Sequence, residues 1–333
     1  MSRHIQHIVP VLLLLLSLTT QAKQQPTALT VEQRQQFTYY WYAARQAITE
    51  ERFADAYALL QFCNALNPHD GQTLTFLGVL YQGIGNEERA LEAYKKAFET
   101  DPRDQWYKYS TTLLEKNTDE SREMALKAME KAYKEQKAAK TVDEDLLEQL
   151  KRLYITEEMW KKALAMQDEL DKIKGFDGYS ALTRYRVYAM WHKPKKAIEA
   201  IDKYLEIDPT DLRFLYFRLE LMEQTGAKQK DLYEIYERIL AIAPYNLTVL
   251  NNYAYHLATH GGDLTKAEKM SQITIREEPN NAIYLDTYGW ILHLKGQDEL
   301  ALFYLNRAAW NATEGSKDVI QQHIVHINNE KKK

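Results

Sequence analysis

Five of the eight prolines in this chain fall on one spacing. Pro102 follows Pro68 at a step of 34, and Pro209, Pro244 and Pro279 follow one another at steps of 35. From Pro102 to Pro209 the step is 107, close to three such spacings. Each of these prolines follows an apolar, helix-like run, as in Ala65-Leu66-Asn67-Pro68 and Glu206-Ile207-Asp208-Pro209. A proline there ends a helix without costing an internal hydrogen bond, because it has no N–H and its ring clashes with the preceding turn. A period of about 34 residues marks stacked helix–turn–helix units. In such a stack, each unit buries surface only against its neighbours.

Small residues keep the same phase. Ala56, Ala90, Ala163, Ala197, Ala267 and Ala301 recur at single or double steps of the period. Each stands where a second helix crosses the first, and a methyl group there lets two helices approach to about 8–10 Å. Ala125 fills that place in a divergent third unit, and Leu232 takes it in the sixth. Extra turn residues are expected at Gly226 and at Gly261-Gly262.

Composition narrows the function. Of 333 residues, 45% are hydrophobic and 27% charged, which is ordinary globular usage. Residues 1–22 read as a cleaved signal peptide, with Arg3, an apolar Ile8–Leu18 and small residues at Thr20 and Ala22. That apolar run is too short to span a bilayer comfortably, and no stable membrane span is expected after cleavage. No cysteine stands near the cut, so lipidation of the mature end is not expected. The expected location is periplasmic or secreted. Cleavage leaves 42 basic against 47 acidic side chains. A mildly acidic surface argues against nucleic-acid binding, which needs clustered Lys and Arg to neutralise phosphates. The single cysteine, Cys63, rules out an intrachain disulfide and reads as an inert core thiol.

The segment Gly71–Asp104, with Pro102, carries Leu74, Leu77, Gly78, Tyr81, Ala90, Tyr94 and Ala97. On these residues the chain resembles the tetratricopeptide repeat (TPR) proteins. A last copy from Ala282 matches through Leu285, Tyr288, Gly289, Leu292, Ala301, Leu305 and Ala308. The first copy, from Phe37, matches more loosely. Asn251–Tyr255, Gly261–Leu264 and Tyr284–Trp290 resemble the C-terminal repeats of cell-envelope TPR proteins of Bacteroidota-type bacteria. The resemblance implies an all-α, right-handed solenoid of about eight helix–turn–helix repeats. It also implies a lead-in at 23–36, an array at 37–314, and a capping helix with a basic tail at 315–333. The copy from about Gln105 is weak, with its second helix placed at Arg122–Lys134. Lys137–Asp143 is open between a long loop and an extended helix.

Catalytic signatures are missing from the sequence, and no cofactor is expected. There is no P-loop, dinucleotide fingerprint, His-Glu-x-x-His or nucleophile elbow. His256 and His260 share a helix face, but a metal needs three or four ligands, so they read as helix-end histidines. His323 and His326 on the last helix read the same way. No metal is expected.

In the TPR family the first helix of each pair lines a concave groove. Carrying those groove positions over gives Trp41 and Arg45, Tyr179 and Arg186, Arg213 and Tyr216, Asn251 and Tyr255, and Asp286 and Trp290. Exposed aromatics and arginines at such places suit a protein or peptide partner. The expected function is therefore a non-catalytic scaffold or adaptor in the cell envelope. A glycan- or small-ligand-binding module and an accessory subunit of an envelope enzyme stand as alternatives.

Overall fold

The computed structural model describes residues 29–330. The expected signal peptide, residues 1–22, and the lysine tail lie outside the described residues. Within them the chain is all-α, with seventeen helices and no strand. Sixteen form eight consecutive pairs: α1 (Val31–Thr49) with α2 (Phe53–Leu66), α3 (Gly71–Gly83) with α4 (Glu87–Thr100), and α5 (Pro102–Glu115) with α6 (Asp119–Ala139). Next come α7 (Glu144–Thr156) with α8 (Trp160–Lys174), α9 (Gly178–Met190) with α10 (Pro194–Leu205), and α11 (Leu212–Gln224) with α12 (Gln229–Ile242). The last pairs are α13 (Leu247–Thr259) with α14 (Leu264–Glu277) and α15 (Ala282–Leu294) with α16 (Asp298–Asn311). The unpaired α17 (Glu314–Glu330) closes the series. The chain divides into two compact units, one up to Leu170 and one from Asp171 onward. Each is a stretch of helical-repeat solenoid.

Every turn inside a pair has the same backbone device. One residue adopts left-handed φ: Glu51 at 58°, Gly85 at 74°, Asn117 at 49°, Glu158 at 55°, His192 at 55°, Gly226 at 64°, Gly261 at 69° and Gly296 at 76°. In seven of the eight, the next N–H then bonds back to the carbonyl five residues earlier, as Arg52 does to Ala47 (2.8 Å), Lys193 to Tyr188 (2.8 Å) and Gln297 to Leu292 (2.9 Å). This closes the orphan carbonyls at the helix end. Half of these places hold a residue with a Cβ, for which left-handed φ costs about 1–2 kcal/mol. The turns between pairs work differently. Pro68, Pro209, Pro244 and Pro279 lie in those loops, and second-helix arginines reach two of their carbonyls, Arg238 to Pro209 (3.1 Å) and Arg307 to Pro279 (3.0 Å).

The structure shifts several expected boundaries. Thr30 caps α1 through a reciprocal bond with Gln33, so residues 31–36 of the expected lead-in are helical. Pro102 does not stand between helices. It is the first residue of α5, behind the Asp101 cap, where its missing N–H costs nothing. The third unit thus starts ahead of Gln105, and α6 runs to Ala139, beyond the expected Lys134. The 137–143 stretch is therefore extended helix to Ala139, then left-handed Lys140 and a short link.

The alanine phase does what the spacing requires. Ala56, Ala90, Ala125, Ala163, Ala197, Ala267 and Ala301 are all at most 1% exposed. In the first unit, Ala90, Ala125, Ala163, Leu147, Leu150 and Leu170 share one core. In the second, Ala197, Ile201, Leu215, Ile239 and Leu250 form the larger core, and Leu285, Leu292, Leu305, Ile320 and Ile327 a second one under α17. Fully burying a leucine or isoleucine contributes about 1.5–3 kcal/mol. Polar brackets repeat as well. Tyr154 donates to Glu130 (2.8 Å), which also receives Lys162 (2.8 Å). In the second unit, Tyr253 donates to Glu237 (2.7 Å), which also receives Lys266. Each bracket ties a first helix to the second helix of the preceding repeat.

Candidate partner-binding site

The expected groove residues come from α1, α9, α11, α13 and α15, each pair sharing one helix face at a spacing of three, four or seven. In α1 and α13 the structure separates the two members of the pair. The N-terminal member turns toward the protein, and the other turns outward. In α1, Trp41 is half-buried against Phe76 of the next repeat, with ring centroids 6.4 Å apart. Arg45 is exposed and lies 4.9 Å over the Trp41 ring. In α13, Asn251 is 4% exposed, and its Oδ1 has no hydrogen-bond partner. Tyr255, one turn later, is 38% exposed.

The other two open helices divide differently. In α9 both members face solvent: Tyr179 is 54% exposed, and Arg186 is exposed. In α11 the order is reversed. Tyr216 is half-buried and accepts a hydrogen bond from Asn246 Nδ2 (2.8 Å), while Asn246 Oδ1 caps α13 by accepting from Val249 N. Arg213 is exposed and paired with Asp211 (2.8 Å). The Arg213 guanidinium holds the Asp211 carboxyl below the usual carboxylate range.

On α15 the expected open surface is covered. Asp286 is 8% exposed and accepts from His323 Nδ1 of α17 (2.9 Å). The Trp290 ring stacks on His323, with centroids 4.3 Å apart and planes 23° apart. The capping helix therefore occupies the face where these two residues were expected to meet a partner. Open positions of the expected set are Arg45 in the first unit, and Tyr179, Arg186, Arg213 and Tyr255 in the second.

The remaining candidates also find their places. Cys63 is fully buried, and burial pushes its thiol up to about 11, so it is an inert packing group. His256 and His260 stack with centroids 5.1 Å apart, and His256 faces Glu223 at 3.6 Å. Burial holds the His256 imidazole below its ordinary pKa. The sequence reading missed His293 and Glu330, which meet His326 at the end of the second unit, and Asp298, which pairs with His293. The i, i+4 pair His326 and Glu330 was a local signal, but nothing local joins it to His293 on α15.

Paired helices in a regular repeat, with a small residue at nearly every crossing, define a helical-repeat solenoid by architecture. Residues 71–104 match the tetratricopeptide repeat family model. Those residues are a tetratricopeptide repeat, and the other helix pairs follow the same pattern. Among solved structures, a tetratricopeptide repeat protein from Parabacteroides merdae is 16% identical. That match covers 88% of this chain and 99% of the other, with a TM-score of 0.35. The C-terminal part of a TPR repeat-containing protein from Cytophaga hutchinsonii is also 16% identical, over 75% of this chain and 98% of that one, with a TM-score of 0.45. No curated protein matches the sequence. Among the described residues, no helix is long and apolar enough to cross a membrane.

Proposed function

We propose that this protein is a non-catalytic scaffold or adaptor that holds a protein or peptide partner on the first-helix faces of its second unit. The observation that carries this reading is the exposure of Tyr179, Arg186, Arg213 and Tyr255 on three successive first helices, α9, α11 and α13, above a packed core. Tyrosine supplies large contact area at little entropic cost, and arginine supplies directional donors. Their rigid backbone supports limit the ordering cost of binding. We further propose that the protein works in the cell envelope, periplasmic or secreted. The support is the charged start, short apolar run and small-residue cut of residues 1–22, together with the envelope-type strings in the last two repeats.

The test is photo-crosslinking in cells from positions 179, 186 and 255, followed by mass spectrometry. One dominant envelope protein is expected. Its capture should fall at least about tenfold in the Tyr255→Ala, Arg186→Ala double variant, as for loss of one or two binding hot spots. Capture that is unchanged in that variant, or no crosslinked protein at any of the three positions, refutes this face as the working surface. Cell fractionation with N-terminal sequencing checks the location, and a mature protein that retains residues 1–22 in the cytoplasm refutes it.

A further inference from the structure

We infer that the C-terminal end of the second unit is a binding site for one divalent transition-metal ion, held by His293, His326 and Glu330. His293 lies in the last turn of α15, whereas His326 and Glu330 lie one turn apart on α17. His293 Nε2 is 3.6 Å from one Glu330 carboxylate oxygen, and His326 Nε2 is 3.4 Å from the other. The three ligand atoms all lie within 4.8 Å of one another. A zinc ion bound at about 2.0–2.1 Å to each ligand places tetrahedral ligand atoms about 3.4 Å apart. The cluster is thus near the required spacing before any ion enters.

The surroundings fit this role. His293 Nδ1 donates to the Asp298 carboxylate at 2.7 Å. That bond orients the ring and turns Nε2 toward Glu330, as the carboxylate–histidine–metal arrangement requires. The Trp290 ring contacts both ligand histidines, with centroids 5.1 Å from His293 and 5.5 Å from His326. It also stacks on His323, which Asp286 holds by its Nδ1, so the rings are fixed by packing. His293 is largely buried, whereas His326 and Glu330 are half-exposed, which gives an ion a route in from solvent. The Nε2 atoms of both imidazoles face the Glu330 carboxylate, so a shared cation would sit among all three groups. Three protein ligands leave a fourth position for water. Two imidazoles and one carboxylate suit zinc, cobalt, nickel or copper rather than calcium or magnesium, which prefer all-oxygen shells. Because the ligands come from α15 and α17, the ion acts as a clasp that fastens the capping helix to the last repeat.

The experiment is calorimetric titration of untagged, chelator-treated full-length protein with Zn²⁺, with visible absorption of Co²⁺ as a second readout. One equivalent should bind saturably. Bound Co²⁺ should show the intense d–d bands of a low-coordinate site, and amide exchange in α17 should slow on binding. His326→Ala and Glu330→Gln alter exposed side chains and should keep the native circular dichroism while abolishing saturable binding. Asp298→Asn should weaken binding about 10–100-fold. His69→Ala, in the first unit, should leave the titration unchanged. Absence of saturable Zn²⁺ or Co²⁺ binding by the folded protein overturns the inference. So does binding that survives unaltered in both His326→Ala and Glu330→Gln.

Discussion

Gly78→Ala tests whether close helix approach, rather than helix propensity, sets the residue at this place in the best-formed repeat. A Cβ on Gly78 would stand 2.4 Å from Cε1, 2.6 Å from Cδ1 and 3.0 Å from Cζ of the Tyr94 ring, where ordinary contact begins at 3.4 Å. The ring would have to move by about 1 Å, as the shortfall from ordinary contact requires. Tyr94 is only 1% exposed, and its hydroxyl donates to Gln82 Oε1 at 3.0 Å, so it has little room. Alanine gains up to about 1 kcal/mol over glycine in a helix interior. Overpacking of this kind costs about 1–3 kcal/mol. Gly78→Ala should therefore be neutral to destabilising by about 2 kcal/mol, the difference between those two effects. Gly83→Ala, in the same helix with nothing within 4 Å of its added Cβ, should instead be neutral or stabilising. The assay is urea unfolding followed by circular dichroism, with free energies from midpoint and slope. The two variants should differ by about 1–3 kcal/mol, the overpacking cost alone. In a Tyr94→Leu background that gap should close to within about 0.5 kcal/mol, because the overlapping ring is gone. Equal stability of Gly78→Ala and Gly83→Ala, or a gap that Tyr94→Leu leaves intact, refutes the reasoning.

Two more expectations concern the turns and the buried histidine. His192→Gly relieves a left-handed residue with φ of 55° and should raise the urea midpoint by the equivalent of up to about 1 kcal/mol, whereas a loss of stability would show that His192 makes a compensating contact. His256 is held neutral by burial, so its folded pKa is depressed and the unfolded chain binds more protons below the ordinary value of 6.5. Stability should then fall as the pH drops from about 7.5 through 6.5 toward the folded pKa, and this fall should be smaller in His256→Gln, with Glu223 and His260 as the neighbouring titratable groups. Identical pH profiles for the two proteins would remove His256 from that account.

Much of the fold was legible because it rests on local rules. A proline after an apolar run and an alanine once per repeat report where helices stop and where they cross, and both follow from backbone sterics and side-chain size. The boundaries that moved did so where one residue type serves two roles. Pro102 reads as a terminator but opens α5 as its first residue, since both positions tolerate a missing N–H. The turns at Glu51, Asn117, Glu158 and His192 carry no glycine to mark them, yet adopt the same left-handed φ as Gly85 and Gly296. There the chain reversal demanded by the helix pair overrides the residue's own preference.

The candidate site was legible in register but not in exposure. The i, i+4 spacing places Asn251 with Tyr255, and Asp286 with Trp290, on shared faces. Whether such a face stays open depends on what lies across it. Asn251 is buried at one end of its pair, and α17 covers both Asp286 and Trp290. The convergence of His293 with His326 and Glu330 follows from the same docking, since these residues are far apart in the chain and meet only when α17 lies along α15. By itself, the sequence determined the repeating helix pair, because helix ends and crossings are set within a single repeat. The tertiary structure alone decided which side chains face solvent and which ligand atoms converge, because those depend on the neighbour that each helix packs against.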